Sequence, residues 1–266
     1  MIYRLLTVFG VLTFSFAFTT TNDLKTNLET SKIEAIASTI PEENTKSNFE
    51  NKVATLYSEF STKNISVPAM PVFEKAMKGY EQLDETGKVG KKILTVIDFG
   101  LSSTKKRMWI MNMETKKVLF NTYVSHGKNT GGEFANKFSN TVNSLQSSLG
   151  FYVTAETYYG KNGLSLFIDG MEKGFNSNAR KRYVVIHGAD YAEPNFIDRI
   201  GRLGRSYGCP AVPNTIAKEV IDTIKEESVV NQYWNIYRGN YLRNGLFITS
   251  SVCTTGDINN DGLPDI

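Results

Sequence analysis

The chain has 266 residues, 41% of them hydrophobic, so it is long enough to bury one sizeable core or two small ones. Its 30 basic and 27 acidic residues nearly cancel. This balance gives no strong attraction to nucleic acid or to an anionic membrane surface, and we expect neither as a partner.

The first residues have the pattern of an export signal. Arg4 supplies a positive start, an apolar run extends from Leu5 to Phe18, and Ser15-Phe16-Ala17 offers a small-residue cleavage site. The pattern predicts a signal peptide over residues 1–17 and a secreted protein of the periplasm or cell envelope. The alternative is an uncleaved anchor, for which the run is short, since a bilayer span takes about 20 residues. We expect no membrane span after signal cleavage.

A tether and a helical extension are predicted next. Residues 18–47 are rich in Thr, Asn, Ser, Glu and Lys with few large apolar groups, which predicts a disordered leader and a fold that begins near Asn48. Over residues 48–90, apolar side chains at helical spacing predict two packing helices. These side chains are Phe49, Val53, Leu56, Tyr57 and Phe60, and, after Pro71, Phe73, Ala76, Met77 and Tyr80.

A mainly β domain is predicted over residues 91–252. Short runs rich in Val, Ile, Phe and Tyr alternate there with polar residues and glycine: KILTVID, RMWIMNM, KVLFNTYV, GFYVT, LSLFI, RYVVIH and LFITS. Asn162-Gly163 indicates a type I′ hairpin turn, and NMETKK indicates a second hairpin. One helix interrupts the second half, capped by Asn214 or Thr215, with an apolar face formed by Ile216, Val220, Ile221 and Ile224.

The two cysteines allow two interpretations. In an oxidising compartment, a disulfide between Cys209 and Cys253 is the default, and a free reactive thiol is the rival. Cys209 lies in GRLGRSYGCPAVP, where Gly208 and Pro210 interrupt regular hydrogen bonding on either side of it. The stretch is suited to presenting a thiol, and both interpretations remain open.

The two histidines, His126 and His187, each end a strand-like run and precede a glycine. A histidine at a strand end is well placed to act on a substrate. A hydrogen-bonded structural role is the alternative, and we favour it for His126. His187 can supply the base that a nucleophilic cysteine needs, because an ordinary cysteine is mostly protonated at neutral pH.

The loop before Cys209 can assist the same chemistry. Arg202 and Arg205 would add positive potential near the thiol. The Ser206 to Gly208 turn can aim backbone N–H groups at an oxyanion. These residues predict acyl transfer by a Cys-His pair.

The stretch IHGADY, followed by GRLGRSYGCPAVP, resembles the L,D-transpeptidase catalytic domain of cell-wall enzymes, which is marked by His-Gly and then Ser-x-Gly-Cys. VIDFGLSS, SHGKNTG, FSN, SSLGFYVT and YGKNGLSL are similar to pieces of one murein branch of that family. The resemblance covers about residues 92–225. It implies an L,D-transpeptidase-like fold of mixed β-sheets, with N-terminal helices added and one helix after the active-site loop.

The resemblance also implies roles for single residues. Cys209 matches the nucleophile, His187 the base, Gly208 with Cys209 the oxyanion donors, and Ser206 the hydroxyl of the motif. Residues expected at the substrate are Gly188, Tyr207, Arg202, Arg205, His126 and Asn140. The implied substrate is the peptide stem of peptidoglycan, whose terminal D-alanine leaves when the cysteine attacks an L-centred diamino acid. An amine acceptor gives a cross-link, water gives carboxypeptidase activity, and no cofactor is implied.

The chain departs from the family pattern at two positions. Better-known members have histidine between the serine and the glycine, and a polar or basic residue two after the cysteine, whereas this chain has Tyr207 and Ala211. Arg205 or Arg202 could bind a stem carboxylate instead. The alternative is that these arginines are solvated loop residues without a role in binding. The insert ADYAEPNFIDRIGRLGR is predicted to form a flap over the site.

Three other functions remain to be weighed. A metal hydrolase could use His126, His187 and Cys209, although no HExxH or paired-histidine spacing occurs. An inactive wall-binding module with Cys209 tied to Cys253 is the second. The third is calcium binding by the tail over residues 253–266. This tail resembles a calcium loop that lacks its final acidic ligand, so we expect weak calcium binding or a solvated acidic end. Its candidate ligands are Asp257, Asn259, Asp261 and Asp265.

Overall fold

The computed structural model describes residues 40–61 and 65–234, with side chains from residue 48 onward. The chain divides into units of residues 1–49 and 50–266, and the packing described below belongs to the second. The predicted signal peptide, the LFITS run, Cys253 and the candidate calcium tail lie outside the described residues. Within the described ranges, no helix is long and apolar enough to cross a membrane.

Two helices precede the sheet, as the apolar spacing predicts. Helix α1 spans Ile40–Ser61, and helix α2 spans Met70–Glu85. Helix α1 begins eight residues before the predicted start at Asn48. Pro41 suits the first turn of a helix, and the glutamates after it are good helix formers, so the end of the predicted tether is helical.

Helix α2 buries the apolar face that its sequence predicts. Pro71 lies in its first turn, and Phe73, Ala76, Met77 and Tyr80 are all buried. The Phe73 ring meets two aromatic rings of α1 edge to face, with ring centroids 5.3 Å from Tyr57 and 5.9 Å from Phe60. Edge-to-face contacts of this kind stabilise a helix pair beyond the area that they bury.

The domain contains eight strands in one mixed sheet, which confirms the mainly β fold class. The strands are β1 (Ile93–Asp98), β2 (Met108–Asn112), β3 (Lys117–Thr122), β4 (Gly150–Gly160), β5 (Gly163–Gly170), β6 (Val185–Ala189), β7 (Ala211–Pro213) and β8 (Val229–Tyr233). A 3₁₀ turn (Asp190–Ala192) and helix α3 (Pro194–Ile200) follow β6, and helix α4 (Asn214–Ile224) follows β7. Strands β7 and β8 and helix α3 were not predicted.

The strand order is β3-β2-β1-β8-β4-β5-β6-β7. Strand β8 joins the two halves of the sheet, because it pairs parallel with β1 and antiparallel with β4. Beyond β3, Ser125 forms an antiparallel bridge with Ala211 of β7, so the two edges of the sheet meet. This closure brings the segment after β3 against the residues that lead into β7.

The main hydrophobic core lies between the sheet and α4. Helix α4 packs on β5, β6 and β7, and its Val220, Ile221 and Ile224 are fully buried against strand residues such as Ile186. Helix α2 packs on β1 and β8. Strands β1 and β8 lie inside the sheet under α2, and both are buried along their whole length, without an alternation of buried and exposed residues.

The two predicted hairpins form, with one difference in turn geometry. Gly160 pairs with Gly163 across β4 and β5, so the turn residues are Lys161 and Asn162. Gly163 has φ +74°, whereas Asn162 is not among the described residues with positive φ, so the type I′ prediction is wrong. The glycine here follows the turn instead of forming its second residue, as in a three-residue hairpin loop.

A close helix-to-sheet contact generates a stability prediction. A Cβ atom at Gly79 of α2 would overlap the ring of Phe151 in β4. Gly79→Ala should therefore lower the free energy of unfolding by about 1–2 kcal/mol, because overpacking outweighs the gain of about 1 kcal/mol in helix propensity. Urea unfolding of Gly79→Ala beside Lys78→Ala, an exposed control on the same helix, would measure this. A more stable Gly79→Ala would contradict the contact.

Candidate active site

The turn that carries Cys209 is closed by its own serine. Ser206 Oγ accepts a hydrogen bond from the Gly208 N–H at 3.0 Å and donates one to the Cys209 carbonyl at 2.6 Å. Gly208 has φ +126°, a conformation that residues with a side chain rarely adopt. Tyr207, at the tip, is 75% exposed. Ser206 therefore determines the shape of the turn, and Gly208 allows it.

Backbone hydrogen bonds hold both ends of this turn to the segment after β3. The Ser206 N–H donates to the His126 carbonyl at 3.0 Å, and the Lys128 N–H donates to the Ser206 carbonyl at 2.7 Å. After the cysteine, the Ser125 N–H donates to the Ala211 carbonyl at 2.8 Å. The turn is thus clamped before and after Cys209, and this restricts where the thiol can lie.

A buried hydroxyl adds a side-chain link to the clamp. Ser147 Oγ donates to the Gly208 carbonyl at 3.1 Å and accepts from the Gly127 N–H at 3.0 Å. Ser147 is fully buried, so both hydrogen bonds are shielded from water. The hydroxyl therefore ties the cysteine turn to the clamping segment at a third point.

The thiol of Cys209 lies against the beginning of β6. Its Sγ donates to the Tyr183 carbonyl at 3.5 Å, and the residue as a whole keeps intermediate exposure. Burial raises the pKa of the Cys209 thiol, while the Val185 amide and the Arg182 guanidinium oppose that rise. The resting sulfur is therefore a thiol, which needs a base before it can attack.

The ring of His187 is buried in the centre of β6. His187 pairs with Ser165 of β5 and with Ala211 of β7, two residues after the cysteine. Its Nδ1 lies 2.8 Å from the Gly188 carbonyl, which can only accept, so Nδ1 carries the proton and Nε2 keeps its lone pair. Burial lowers the pKa of His187. The ring is thus neutral and able to accept a proton.

The Cys209 thiol contacts the beginning of the strand that carries His187. The sulfur interacts with the Tyr183 carbonyl and the Val185 amide, and Val185 precedes His187 by two positions in β6. Gly188 lets helix α4 pack closely beside the histidine, because a Cβ atom there would overlap Asn214 and Ala217. The structure thus places the Cys209 thiol against the backbone at the start of β6, the strand that carries the neutral His187 ring.

The backbone amides of the motif differ from the expected oxyanion pair. The Gly208 N–H already donates to Ser206 Oγ, since the serine side chain closes a local turn with the residue two positions on. The Cys209 N–H makes no hydrogen bond with another described residue. Cys209 is therefore the motif amide that is open to a substrate oxygen in this structure.

His126 is held away from the surface. The residue is 1% exposed, and its Nδ1 accepts a hydrogen bond of 2.8 Å from Arg107, which is itself buried. Burial and the Arg107 charge lower the pKa of His126 to about 3, so its ring stays neutral. The His126 carbonyl binds the cysteine turn, so this residue shapes the site through its backbone.

The other predicted binding residues take part in loop contacts. Arg205 donates to two carbonyl groups of the 128–131 loop, and Arg202 donates to the carbonyl of the next residue. Asn140 is buried and accepts from the Asn178 N–H at 2.9 Å. The insert ADYAEPNFIDRIGRLGR contains the 3₁₀ turn and α3, and its role as a flap over the site stays a prediction. A direct substrate contact by these side chains stays a prediction.

Two functional neighbours were missed by the sequence analysis, namely Arg182 and Tyr183. Arg182 interacts electrostatically with Cys209 and donates to the Ser139 carbonyl and to Ser148 Oγ. Tyr183 has φ +53°, which is rare for a bulky residue and turns its carbonyl toward the sulfur. The available signal is the basic cluster RKRY, whose last two residues fall within the predicted strand run RYVVIH.

Metal binding receives no support from the described ranges. No group of three or more His, Cys, Asp or Glu side chains there could hold a metal ion. The candidate calcium tail and Cys253 lie outside those ranges, so the calcium and disulfide predictions stay predictions.

Residues 65–233 match the family model of the L,D-transpeptidase catalytic domain. No curated protein matches the chain in sequence. Solved structures that are similar include an L,D-transpeptidase from Mycobacterium smegmatis, with 13% identity and a TM-score of 0.34 over 54% of this chain and 59% of that one. Another is an L,D-transpeptidase from Enterococcus faecium, with 16% identity and a TM-score of 0.32 over 54% of this chain and 50% of that one. This chain thus spans about half to three fifths of their length.

The geometry of the cysteine turn generates a prediction. A Cβ atom at Gly208 would lie 2.7 Å from the Gln146 carbonyl oxygen, at a φ that only glycine adopts readily. Gly208→Ala should lower the free energy of unfolding by about 1–3 kcal/mol and alter the rate at which Cys209 is alkylated. Gly132→Ala is the matched control, because its Cβ meets open space. Equal stability of the two variants would argue against a constrained turn.

Proposed function

Because the chain belongs to the L,D-transpeptidase catalytic domain family, whose members are enzymes that act on peptidoglycan, we propose that it is a cysteine acyltransferase acting on peptidoglycan stem peptides. One observation carries the proposal: the Cys209 thiol contacts the Tyr183 carbonyl, just before the strand that carries the neutral His187. A base and a nucleophile in this relation are suited to acyl transfer.

The first half of the reaction forms a thioester. Cys209 Sγ attacks the carbonyl carbon of the L-centred residue, and its proton passes to His187 Nε2. The Cys209 N–H donates to the oxyanion that forms. The bond to the terminal D-alanine then breaks, and the departing amine takes the proton from His187.

The second half releases the acyl group. An acceptor amine attacks the thioester carbonyl while His187 accepts its proton, and the sulfur leaves and regains a proton as the peptide bond forms. Water in place of the amine gives a carboxylic acid, which is the carboxypeptidase alternative. Incubation with isolated tetrapeptide-stem muropeptides, read by mass, separates cross-linked dimers from shortened stems. Absence of either product would favour an inactive wall-binding module.

The location of the substrate supports export of the protein. Peptidoglycan lies outside the cytoplasmic membrane, and we propose that residues 1–17 are a signal peptide that directs the chain to the periplasm or cell envelope. Within this proposal, the catalytic domain covers residues 91–252, after a leader and a helical extension. Mass analysis of the secreted protein would locate the cleavage after Ala17.

The proposed pair generates a prediction on activity. Cys209→Ala should abolish product formation and keep the fold, because the acyl group then has no sulfur to bind. His187→Ala should lower the rate by about 10²–10⁴-fold, as expected for loss of a general base. A carbapenem should add its mass to Cys209 of the native protein and leave Cys209→Ala unmodified. Turnover of tetrapeptide stems by Cys209→Ala at a normal rate would refute the proposal.

The directions of the two pKa shifts generate a prediction on pH. Since burial lowers the pKa of His187 below its usual 6.5, kcat/KM should stay high below pH 6.5 and fall only as pH drops through the lowered pKa. In His187→Ala, the rate should instead climb as pH approaches the raised pKa of Cys209, above the usual 9.0. The measurement is kcat/KM against pH for both proteins. An acid limb above pH 6.5 in the native enzyme would contradict a neutral, buried base.

A further inference from the structure

A pocket of about 250 Å³ opens beside the cysteine turn. Its wall is formed by Val142, Asn143, Leu145, Lys181, Arg182, Tyr183 and Tyr207. The pocket adjoins the thiol, because the Tyr183 carbonyl contacts Cys209 Sγ and Tyr207 belongs to the same turn. Its volume is below that of usual drug-sized sites, which suits the end of a peptide.

The wall of the pocket is built from backbone in an unfavourable conformation. Asn143, Leu145 and Tyr183 have φ values of +62°, +58° and +53°. Such residues cost about 1–3 kcal/mol each and persist where the surrounding structure enforces them, often at ligand sites. Arg182 enforces them here, because its guanidinium binds four groups of the facing loop: the Ser139 and Gln146 carbonyls and the Ser144 and Ser148 hydroxyls.

The pocket is positive and has one cation that is free to bind. Lys181 and Arg182 lie in its wall, and none of its seven wall residues is acidic. The Nη atoms of Arg182 are occupied by the loop. The Lys181 ammonium makes no hydrogen bond or ion pair with any residue in the described ranges, so it can donate to an anion.

We propose that this pocket is a carboxylate subsite in which Lys181 binds the terminal carboxylate of the residue that leaves. The identity of that ligand rests on the proposed function. The terminal carboxylate follows the attacked carbonyl by one residue, a distance of ~3.8 Å between Cα atoms, so a substrate at Cys209 can reach the adjoining pocket. The aliphatic and tyrosine side chains of the wall suit the methyl group of alanine.

The test compares two reagents of nearly equal size, iodoacetate and iodoacetamide, of which only the first carries a carboxylate. Relative to N-acetylcysteine, Cys209 of the full chain should prefer iodoacetate by about fivefold, as an ion pair at a partly exposed site allows. Peptide mass analysis reads the reaction at Cys209 itself. Lys181→Gln should abolish the preference, and salt should weaken it.

The matched control is Lys88→Gln, which removes the same charge from an exposed position outside the pocket. This variant should keep the full preference for iodoacetate. The proposal is overturned if the native protein shows no preference, if Lys181→Gln retains it, or if both lysine variants lose it equally.

A second comparison uses tetrapeptide stems with a free or an amidated C-terminus. Lys181→Gln should lower kcat/KM about fivefold for the free acid and leave the amide unchanged. Equal losses on both stems would overturn the assignment to the terminal carboxylate. A chain that prefers iodoacetate but processes neither stem would refute the proposed function and still support a carboxylate pocket, so the two failures are distinguishable.

Discussion

The closure of the sheet through the segment after β3 is the constraint on which the site depends. The Ser125 N–H donates to the Ala211 carbonyl, and His126 and Lys128 form backbone hydrogen bonds with Ser206. A buried backbone group that loses its partner costs free energy comparable to a lost hydrogen bond, so the segment cannot shift without penalty. The cysteine turn is therefore fixed between two neighbours, β6 and this segment, although it contains glycine and an exposed tyrosine.

Burial affects the two reacting groups in complementary directions. It lowers the pKa of His187 and raises the pKa of Cys209, because a desolvated site disfavours each charged form. At rest, His187 is thus a neutral imidazole and Cys209 a thiol, and in the proposed mechanism the proton moves when the sulfur attacks a substrate. Arg182 opposes part of the effect on the sulfur, while its guanidinium holds the facing loop.

Backbone strain beside the thiol has a structural cause and a functional consequence. Tyr183 has a positive φ just before β6 begins, its carbonyl contacts the sulfur, and the residue lines the pocket together with Lys181. The loop at 139–148 meets it from the other side through Arg182. Arg182 and Tyr183 thereby interact with the Cys209 thiol and also line the adjoining pocket, so the geometry of the thiol depends on that of the pocket.

Local apolar periodicity is enough to predict helices α2 and α4 and six of the eight strands. The motif and its resemblance also predict the pairing of Cys209 with His187. The remaining features depend on contacts between segments that are distant in the chain. Strand β7 has only three residues, which are too few to show a local pattern. Strand β8 is positioned by its pairing with β1 and β4, which are distant from it in sequence. Likewise, Arg182 meets Cys209 only because β6 and β7 lie side by side, and the Gly208 amide is occupied because Ser206 Oγ lies within hydrogen-bond distance in the folded turn.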